Sequence, residues 1–433
     1  MRPSSFVKWS GGLQCSEGGG GLKPAAPRHP FLALVLLVLT GCATTAPPPS
    51  PDPVTTKPFD QALWSVLIEE DDGTVVYSHN ADKLMIPASN RKLFAAATIA
   101  SCLGPDTQLH TEVYRDGEDL VLKGDGDPSL GSWRYHREHD FDALAETLRQ
   151  RGITRVRDLV VDVSSFDRVT IPGAWKVGNL GSDYSASVDA ITWGESELPG
   201  DRAAENPALY AGETLRDVLY LRGISVAGVR VNTEPRQWSG EKLASLPSPF
   251  VAQLLTTILK NSHNLYTEML FKRASNGTYP ASFALERALL TSDAKIGANS
   301  FRFVDASGLA PDDLVTSRAS VQILRWMNHP ARRGFWWPLL AQPNNEGTLR
   351  SRLKPLEERL RGKTGTINGV NALSGIVAMP NGRYRYFSIM VNHHVGDSNE
   401  AVRIIDRIVQ LLATPGSGLP RDGQVLDLSF VVE

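Results

Sequence analysis

The pattern of apolar and polar positions predicts a β-hairpin close to the start of the folded region. Apolar residues dominate segments 63–68 and 74–77, and residues 71–73 separate them as a tight turn that contains glycine. An alanine-rich helix follows directly. We expect it to end at Gly104, because the next residue, Pro105, cannot continue a helix.

Near the other end of the chain, three strand-like segments, 361–366, 372–378 and 384–391, are separated by short turns. This spacing predicts an antiparallel meander, which an amphipathic helix over residues 400–412 would close. Together with the early hairpin it makes a roughly five-stranded antiparallel sheet covered by helices. The predicted fold class is therefore α/β, of the α+β type.

Residues 106–240 are predicted to form a separate α/β unit inserted into the main domain. Helices are indicated over residues 141–151 and 206–222, each followed by a glycine, and a strand over residues 156–163. Residues 167–200 are rich in Gly, Ser, Trp and Tyr without periodicity, so we expect a loop that lines a groove.

After this unit the main domain resumes, with three further predicted helices. They span residues 250–259, 265–273 and 317–327, where apolar residues recur at helical spacing. Residues 261–264 interrupt the first two helices. The catalytic domain is thus predicted to combine residues 59–105 with residues 241–413.

The composition is that of an ordinary globular protein. The chain has 433 residues, of which 42% are hydrophobic and 21% charged, enough for two or three domains. A net charge of −2 argues against nucleic acid and against a polyanionic partner. No Cys/His cluster has zinc spacing, so we predict neither a metal nor a cofactor. Nothing in the sequence indicates an oligomeric state.

Residues 1–42 are predicted to be a lipoprotein signal peptide. The apolar run 31–39 is too short to span a bilayer but suits a signal-peptide core. It closes on a Leu-Thr-Gly-Cys sequence that resembles a bacterial lipobox, in which Cys42 would be lipidated and become the mature amino terminus. The alternative is an ordinary cleaved signal with a coincidental cysteine. Because Ala43 offers no obvious inner-membrane retention signal, we expect a periplasmic protein anchored to the outer membrane.

Residues 43–58 would then form a tether. Their prolines favour a stiff, extended segment that cannot build a core, so it would hold the enzyme off the membrane. Residues 414–433 are predicted to be a C-terminal tail that adds a strand or remains unordered. Of the three cysteines only Cys102 would stay in the folded part, which excludes an intramolecular disulfide.

The first candidate for chemistry is the pair Ser89 and Lys92, three residues apart at the start of the first helix. That spacing places both side chains on one helical face. A serine becomes a nucleophile only when a base takes its proton, and a lysine can do so only if burial or a second cation keeps it uncharged. Alone the pattern is weak, since a helix start with an exposed lysine has the same sequence.

A second pair, Ser262 and Asn264, supplies a hydroxyl and an amide two residues apart on the irregular segment. Ser262 would pass a proton between Lys363 and the leaving amine, and the Asn264 amide would hold Lys92 and the substrate backbone. The alternative is that both are loop residues that bond to their own backbone.

A third motif, Lys363-Thr364-Gly365-Thr366, lies on a predicted strand. A cation there would disfavour the protonated form of Lys92. Gly365 has no side chain, so an extended substrate could lie against the strand as an added strand does. The alternative is a solvated strand-end charge followed by a plain turn.

The backbone N–H groups of Ser89 and Thr366 are the natural candidates for an oxyanion hole. Because all three motifs occur together, in the order S-x-x-K, S-x-N, K-T-G, the catalytic interpretation is favoured for the set.

In these motifs the chain resembles the active-site serine penicillin-recognising enzymes. Within them it resembles the D-alanyl-D-alanine carboxypeptidase/endopeptidase family, the class C low-molecular-mass penicillin-binding proteins, from about residue 59 to residue 412. The segments that carry this resemblance are 86–93, 124–130, 262–268, 305–309, 347–349 and 362–366.

The resemblance implies a serine β-lactamase/transpeptidase-like domain with an inserted subdomain. It implies that Ser89 is acylated by the penultimate D-alanine carbonyl of a peptidoglycan stem peptide, and that β-lactams acylate the same serine. Loss of D-alanine (carboxypeptidase) and cleavage of crosslinks (endopeptidase) would share this acyl-enzyme. Lys363, with the hydroxyls of Thr364 and Thr366, would bind a terminal carboxylate.

Two departures from the family stand out. His263 occupies the middle of S-x-N, where the family usually has aspartate, and we expect its side chain to point away from the site. The connection from Trp193 to Asn206 is short where family members usually carry a further β-rich subdomain, which affects how bulky substrate enters.

Two other functions remain as alternatives. One is a non-catalytic peptidoglycan-binding lipoprotein scaffold. The other is a β-lactamase, for which the segment from Glu195 to Pro199 faintly echoes a deacylation motif, although it precedes S-x-N instead of following it and ends in proline.

Overall fold

The computed structural model of the protein describes residues 59–414. The strands in this part are β1 (Leu63–Glu70), β2 (Val75–His79), β3 (His110–Asp116), β4 (Asp119–Lys123), β5 (Arg155–Asp162), β6 (Glu197–Leu198), β7 (Arg202–Ala203), β8 (Ser225–Asn232), β9 (Glu241–Pro247), β10 (Phe301–Arg302), β11 (Leu314–Val315), β12 (Leu360–Ile367), β13 (Val370–Ala378) and β14 (Tyr384–Asn392). The α-helices are α1 (Lys92–Leu103), α2 (Asp140–Gln150), α3 (Pro207–Leu221), α4 (Val251–Lys260), α5 (Asn264–Arg273), α6 (Tyr279–Ala288), α7 (Ser317–Met327), α8 (Pro330–Trp336) and α9 (Ser398–Leu412).

The first sheet has the strand order β12-β13-β14-β1-β2, and every neighbouring pair in it is antiparallel. Its two halves come from opposite ends of the described chain and join where β1 pairs with β14, for example Leu67 with Ser388. The predicted hairpin, the predicted meander and the five-stranded antiparallel sheet are therefore confirmed.

Both faces of this sheet are covered, because side chains alternate along each strand. On β1, Leu67 packs into the cluster that contains the apolar residues of α1 and α7. Its neighbours Val66 and Ile68 face the opposite way, into the cluster that contains α9 residues such as Ile404. The result is a three-layer arrangement in which α1 lies in the interior, and this burial later governs its lysine.

The second sheet belongs to the inserted unit and is mixed. Its order is β8-β5-β4-β3-β9, with β4, β5 and β8 parallel and β3 antiparallel to both of its neighbours. Helices α2 and α3 contribute Phe141, Leu144, Leu215 and Leu219 to the core of this unit. Many residues of the two outer strands, β8 and β9, are exposed.

One strand lies on the other side of the predicted domain boundary. Glu241–Pro247 was assigned to the catalytic domain from sequence, but it pairs with β3, with Thr111 opposite Leu246. The inserted sheet therefore extends to residue 247, because its edge strand is supplied by the segment that leads back to α4.

The two units meet along α5. Leu265 and Met269 of this helix are part of the core of the inserted unit. At the end of the same helix, Arg273 forms an ion pair with Asp125 of the inserted unit, with 2.7 Å between Nε and Oδ1. The inserted unit thus packs directly against the helix that begins at Asn264.

None of the helices within residues 59–414 is long and apolar enough to cross a membrane. The predicted signal peptide, Cys42, the tether and most of the C-terminal tail lie outside the described residues.

Candidate active site

Ser89 lies in a single 3-10 turn, Ala88–Arg91, that leads directly into α1. The sequence predicted one helix here, and the structure divides it into the turn and the helix. Ala88 has a φ of 46°, a left-handed value that is uncommon outside glycine, so the chain bends sharply just before the serine.

The Lys92 ammonium nitrogen lies at the centre of the site. It is 2.9 Å from Ser89 Oγ and 2.5 Å from Asn264 Oδ1. It also donates to the backbone carbonyl of Ser307 at 2.7 Å. The side chain is fully buried, and these three oxygens fix the nitrogen beside the serine hydroxyl.

Burial lowers the pKa of Lys92 to about 7, which leaves a large uncharged fraction at neutral pH. The carboxylates of Asp305 and Glu268 oppose this shift, while the neighbouring guanidinium of Arg91 adds to it. The catalytic interpretation of the sequence depends on an uncharged Lys92. The three-layer core around α1 favours that form, because burial is the main cause of the lowered pKa.

Arg91 brings its own counter-charge into the core. It forms a buried ion pair with Glu286, with 2.6 Å between Nη1 and Oε1, and its guanidinium lies 3.9 Å from the centre of the Phe303 ring. Its Nε donates to the carbonyl of Asp305 at 2.9 Å. Arg91 and its counter-charge are therefore buried together next to Lys92.

The second lysine, Lys363, extends from β12 and is also fully buried. It donates to Ser262 Oγ and to the carbonyl of Thr364, each at 2.8 Å. Burial, and then the charge of Lys92, place the pKa of Lys363 well below its ordinary value. Two lysines that both resist protonation share one site, as the sequence suggested.

The S-x-N segment joins α4 to α5. Ser262 has a φ of 65°, and Asn264 is the first residue of α5. The Asn264 amide accepts from Lys92 and donates through Nδ2 to the carbonyl of Tyr184 in the inserted unit at 2.7 Å. All five predicted catalytic side chains, Ser89, Lys92, Ser262, Asn264 and Lys363, are thus linked in two hydrogen-bonded groups around the serine.

Gly365 packs closely against the residues around Ser89. A Cβ at this position would lie 2.7 Å from the carbonyl oxygen of Pro87 and 3.1 Å from the amide nitrogen of Ser89. The missing side chain therefore lets β12 pack against the 3-10 turn Ala88–Arg91, called the serine turn below. This close approach also brings the strand beside the Ser89 amide nitrogen.

The two threonines of the third motif differ in accessibility. Thr364 is 8% exposed, and its backbone carbonyl accepts a hydrogen bond from Lys363 Nζ. Thr366 is exposed, and its hydroxyl accepts from the Asn371 amide at 3.1 Å. Thr366 is therefore the hydroxyl of this motif that is available to a ligand.

Sequence reasoning assigned no role to the loop that carries Ser307. The N–H groups of Ala306 and Ser307 donate to the buried carboxylate of Glu268 at 3.1 and 2.8 Å. Burial, and then the charge of Asp305, raise the pKa of Glu268 to about 7. Segment 305–309 contributed only to the family resemblance, and its backbone role depends on contacts that local sequence does not record.

Asp305 anchors the same loop. Its carboxylate accepts from the N–H of Gly308 at 2.7 Å and from Trp175 Nε1, in the inserted unit, at 2.9 Å. Gly308 has a φ of 80°, and a Cβ there would lie 2.0 Å from the carbonyl oxygen of Ala88. The loop therefore packs tightly beneath the serine turn.

Glu195 lies close to the S-x-N segment. His263 was expected to point away from the site, and its ring contacts this buried carboxylate, with 2.9 Å between Nε2 and Oε2. Within the described residues, Glu195, Glu197 and His263 are also the one group whose spacing suits a metal ion. Glu195 and His263 already contact each other directly, without an ion between them.

The chain is similar in sequence to known proteins over most of its length. The chain matches the D-Ala-D-Ala carboxypeptidase 3 (S13) family over residues 52–198 and 193–415. It is 28% identical to a D-alanyl-D-alanine carboxypeptidase from Actinomadura sp. (strain R39), covering 78% of this chain and 79% of that protein.

Two solved structures share the fold. Penicillin binding protein 4 from Haemophilus influenzae superposes with a TM-score of 0.69 at 20% identity, covering 78% of this chain and 92% of that one. A predatory peptidoglycan endopeptidase from Bdellovibrio bacteriovorus gives 0.58 at 16% identity, covering 84% and 95%. The predicted fold class is confirmed, and the chain belongs to the D-Ala-D-Ala carboxypeptidase 3 (S13) family.

Proposed function

We propose that this protein is a serine DD-peptidase that removes the terminal D-alanine of peptidoglycan stem peptides through an acyl-Ser89 intermediate, and that it binds penicillin at the same serine. The observation that carries the proposal is the Lys92 nitrogen, which lies 2.9 Å from Ser89 Oγ with a pKa lowered to about 7. A non-catalytic scaffold would have no use for a buried, largely uncharged lysine beside a serine.

Acylation begins when Lys92 takes the hydroxyl proton of Ser89. The Ser89 oxygen then attacks the carbonyl carbon of the penultimate D-alanine, and the charge that develops on the carbonyl oxygen faces the N–H groups of Ser89 and Thr366. The close packing of Gly365 against the serine turn supports this pairing, because it brings β12 beside the Ser89 amide.

The leaving nitrogen needs a proton as its bond to carbon breaks. Ser262 gives its hydroxyl proton and is reprotonated by Lys363, whose nitrogen lies 2.8 Å away. The charge of Lys92 contributes, after burial, to the lowered pKa of Lys363, so the gain of a proton by Lys92 favours the loss of a proton from Lys363. Proton number is conserved, and the amine leaves neutral.

Deacylation repeats the chemistry with water as the nucleophile. Once Lys92 has released the Ser89 proton to solvent and Lys363 has regained one, Lys92 takes a proton from water as the water oxygen attacks the acyl carbon, and that proton passes to Ser89 Oγ as its bond to the acyl carbon breaks. A β-lactam acylates the same oxygen, but its leaving group remains attached and obstructs water. The sequence supplies no dedicated deacylating base for β-lactams, and we therefore expect slow turnover of these inhibitors.

The leaving group distinguishes two activities. In the carboxypeptidase reaction it is free D-alanine, whose carboxylate would bind to Lys363 and to the hydroxyls of Thr364 and Thr366, of which that of Thr366 is the more accessible. In the endopeptidase reaction it is the crosslinking amine of a neighbouring stem, which uses the same acyl-enzyme.

We also propose the cellular setting and domain layout. Residues 1–42 are a lipoprotein signal peptide, Cys42 carries the lipid, and residues 43–58 tether the enzyme to the periplasmic face of the outer membrane. Residues 59–105 and the segment from α4 to residue 413 form the catalytic domain, the intervening residues form the inserted unit, and residues 414–433 form a tail. The lipobox-like sequence and the proline-rich segment support this arrangement.

Labelling with fluorescent penicillin tests the nucleophile. The wild-type protein should be labelled covalently, and Ser89→Ala should abolish labelling, a loss of about 10⁴-fold or more. Unlabelled wild-type protein, under conditions that label a known penicillin-binding protein, would favour the scaffold.

Product analysis then tests the reaction. Muropeptide monomers should lose D-alanine and crosslinked dimers should be cleaved, both measured by mass spectrometry. If neither substrate is altered, the hydrolase proposal fails. Rapid hydrolysis of a chromogenic cephalosporin would instead indicate a β-lactamase.

A further inference from the structure

The inserted unit presents a buried carboxylate to the S-x-N segment. Glu195 accepts hydrogen bonds from Ser132 Oγ at 2.5 Å and from Arg134 Nε and Tyr266 OH, each at 3.0 Å. Its side chain has no solvent exposure. Both Glu195 and Ser196 have left-handed φ values, 61° and 59°, so the loop is held in a conformation that non-glycine residues rarely adopt.

The fourth partner of this carboxylate is His263. Its Nε2 lies 2.9 Å from Glu195 Oε2, and its ring packs on Tyr266 with 4.4 Å between ring centres. Its other ring nitrogen, Nδ1, is buried and has no hydrogen-bond partner among the described residues. Glu195 is therefore the one polar group that orients the imidazole.

His263 lies between two residues of the site. Ser262 has a left-handed φ of 65°, and its Oγ accepts a hydrogen bond from Lys363 Nζ at 2.8 Å. Asn264 Oδ1 accepts a hydrogen bond from Lys92 Nζ at 2.5 Å. Rotation of the backbone at residue 263 would displace both oxygens from their lysines. A small displacement of groups that transfer protons is expensive, since positioning errors near 1 Å cost about 100-fold in rate.

We propose that Glu195 is a positioning residue that orients the Ser262-His263-Asn264 segment through His263, so that the inserted unit sets the rate at which Ser89 is acylated. The inference rests on the proposed function, because it concerns the rate of that acylation. It assigns the short loop between Trp193 and Asn206 a task at the active site.

The pairing has a chemical logic that substitutions can test. A carboxylate at position 263 would face Glu195 and repel it, whereas an amide at position 195 could donate a hydrogen bond to that carboxylate. One position must therefore donate a hydrogen bond where the other accepts it for the segment to keep its conformation.

The experiment measures the second-order rate of fluorescent penicillin labelling in the full-length protein. Each rate is normalised to the amount of protein that is finally labelled, and thermal unfolding is recorded for every variant. His263→Leu, which removes the donor, should slow acylation about 10- to 100-fold. His263→Gln, which keeps a donor near Nε2, should remain within about fivefold of the wild type.

A second pair of variants tests Glu195 itself. His263→Asp should slow acylation at least as much as His263→Leu, and adding Glu195→Gln to it should restore most of the rate. Glu205→Gln is the matched control, because this exposed carboxylate lies in the same connection but outside the group formed by Glu195, Glu197 and His263, and its loss should leave the rate unchanged.

A merely structural role would lower the melting temperature and leave the normalised acylation rates alike. That outcome, or the absence of rescue in the double variant, would overturn the inference while wild-type labelling still supports the proposed function. Failure of the wild-type protein to label at all would overturn both.

Discussion

The two five-stranded sheets contribute to the site in different ways. The first sheet is covered on both faces and carries Lys363 on β12, with the serine turn packed against the same strand. The second sheet, as far as the structure describes it, supplies no nucleophile and no lysine to the site. Its unit supplies the carbonyl of Tyr184, the indole of Trp175 and the carboxylate of Glu195.

The difference teaches where reactivity and orientation originate. Burial in the first unit lowers the pKa of Lys92 and so creates the base. Contacts from the second unit hold in place the groups that surround Lys92. They do not make the surroundings of Lys92 more apolar. Substitutions in the first unit should therefore affect the chemical step most, and those in the second unit progressively less.

The largest effect is expected at Lys92. Lys92→Arg keeps a cation but cannot accept a proton, so acylation should fall by about 10³-fold. In the wild-type protein the neutral lysine is the active form, and its pKa is about 7. The acylation rate should therefore rise about tenfold per pH unit below pH 7 and level off above it. A pH-independent rate between pH 5 and 8 would contradict this assignment.

Gly308→Ala should have the next largest effect. The new Cβ would lie 2.0 Å from the carbonyl oxygen of Ala88, and the φ of 80° is unfavourable for alanine. We expect acylation to slow about 10- to 100-fold and stability to fall by about 1–3 kcal/mol in urea unfolding.

Gly382→Ala is the matched control for this substitution. Gly382 has a φ of 79°, but nothing lies within 4 Å of its Cβ position. Its variant should lose some stability and keep its acylation rate. Equal acylation rates in the two variants would show that the contact beneath the serine turn does not matter.

Trp175→Phe tests the inserted unit's contact with Asp305. It removes the hydrogen bond from Nε1 to the carboxylate but leaves the bond from the N–H of Ala310, at 2.8 Å, in place. We expect a loss of about 1–2 kcal/mol in unfolding free energy and less than a tenfold loss in acylation. A larger loss in acylation than for Gly308→Ala would reverse the proposed ranking of the two units.

The smallest effect is expected at a solvent-exposed ion pair on the second sheet. Arg157, 60% exposed, pairs with Asp119 at 2.9 Å, and Asp119 keeps Arg230 as a second partner at 3.2 Å. Arg157→Ala should leave both the melting temperature and the acylation rate close to those of the wild type, because solvent screens an exposed ion pair. A measurable change in the acylation rate would indicate that structural changes anywhere in the second sheet reach the active site.

Much of the fold follows from local patterns in the sequence. The helix predicted over residues 317–327 has the same bounds as α7, and the hairpin and meander lie where apolar alternation places them. The assignment of β9 to the wrong unit has a clear cause. Strand pairing is not local, and nothing within residues 241–247 indicates that their partner is β3.

The candidate site divides in the same way. The pairing of Ser89 with Lys92 follows from helical spacing, and the order of the three motifs indicates their partners. The roles of Ser307 and Glu195 could not be predicted, because the contacts that define them join residues far apart in the chain. Ser307 lies 215 positions from Lys92, and Glu195 lies 68 positions from His263.

The sequence by itself determined the antiparallel sheet and the family, and it indicated Ser89 as the candidate nucleophile with Lys92 and Lys363 as its candidate partners. These depend on covalent spacing and on the two-residue and 3.6-residue periods of strands and helices, which are local properties. Only the tertiary structure decided that burial lowers the pKa of Lys92, that Gly365 and Gly308 lie at close contacts, and that Glu195 contacts His263. Desolvation and contact are properties of the space around a residue, and that space is filled by segments that its neighbours in sequence do not specify.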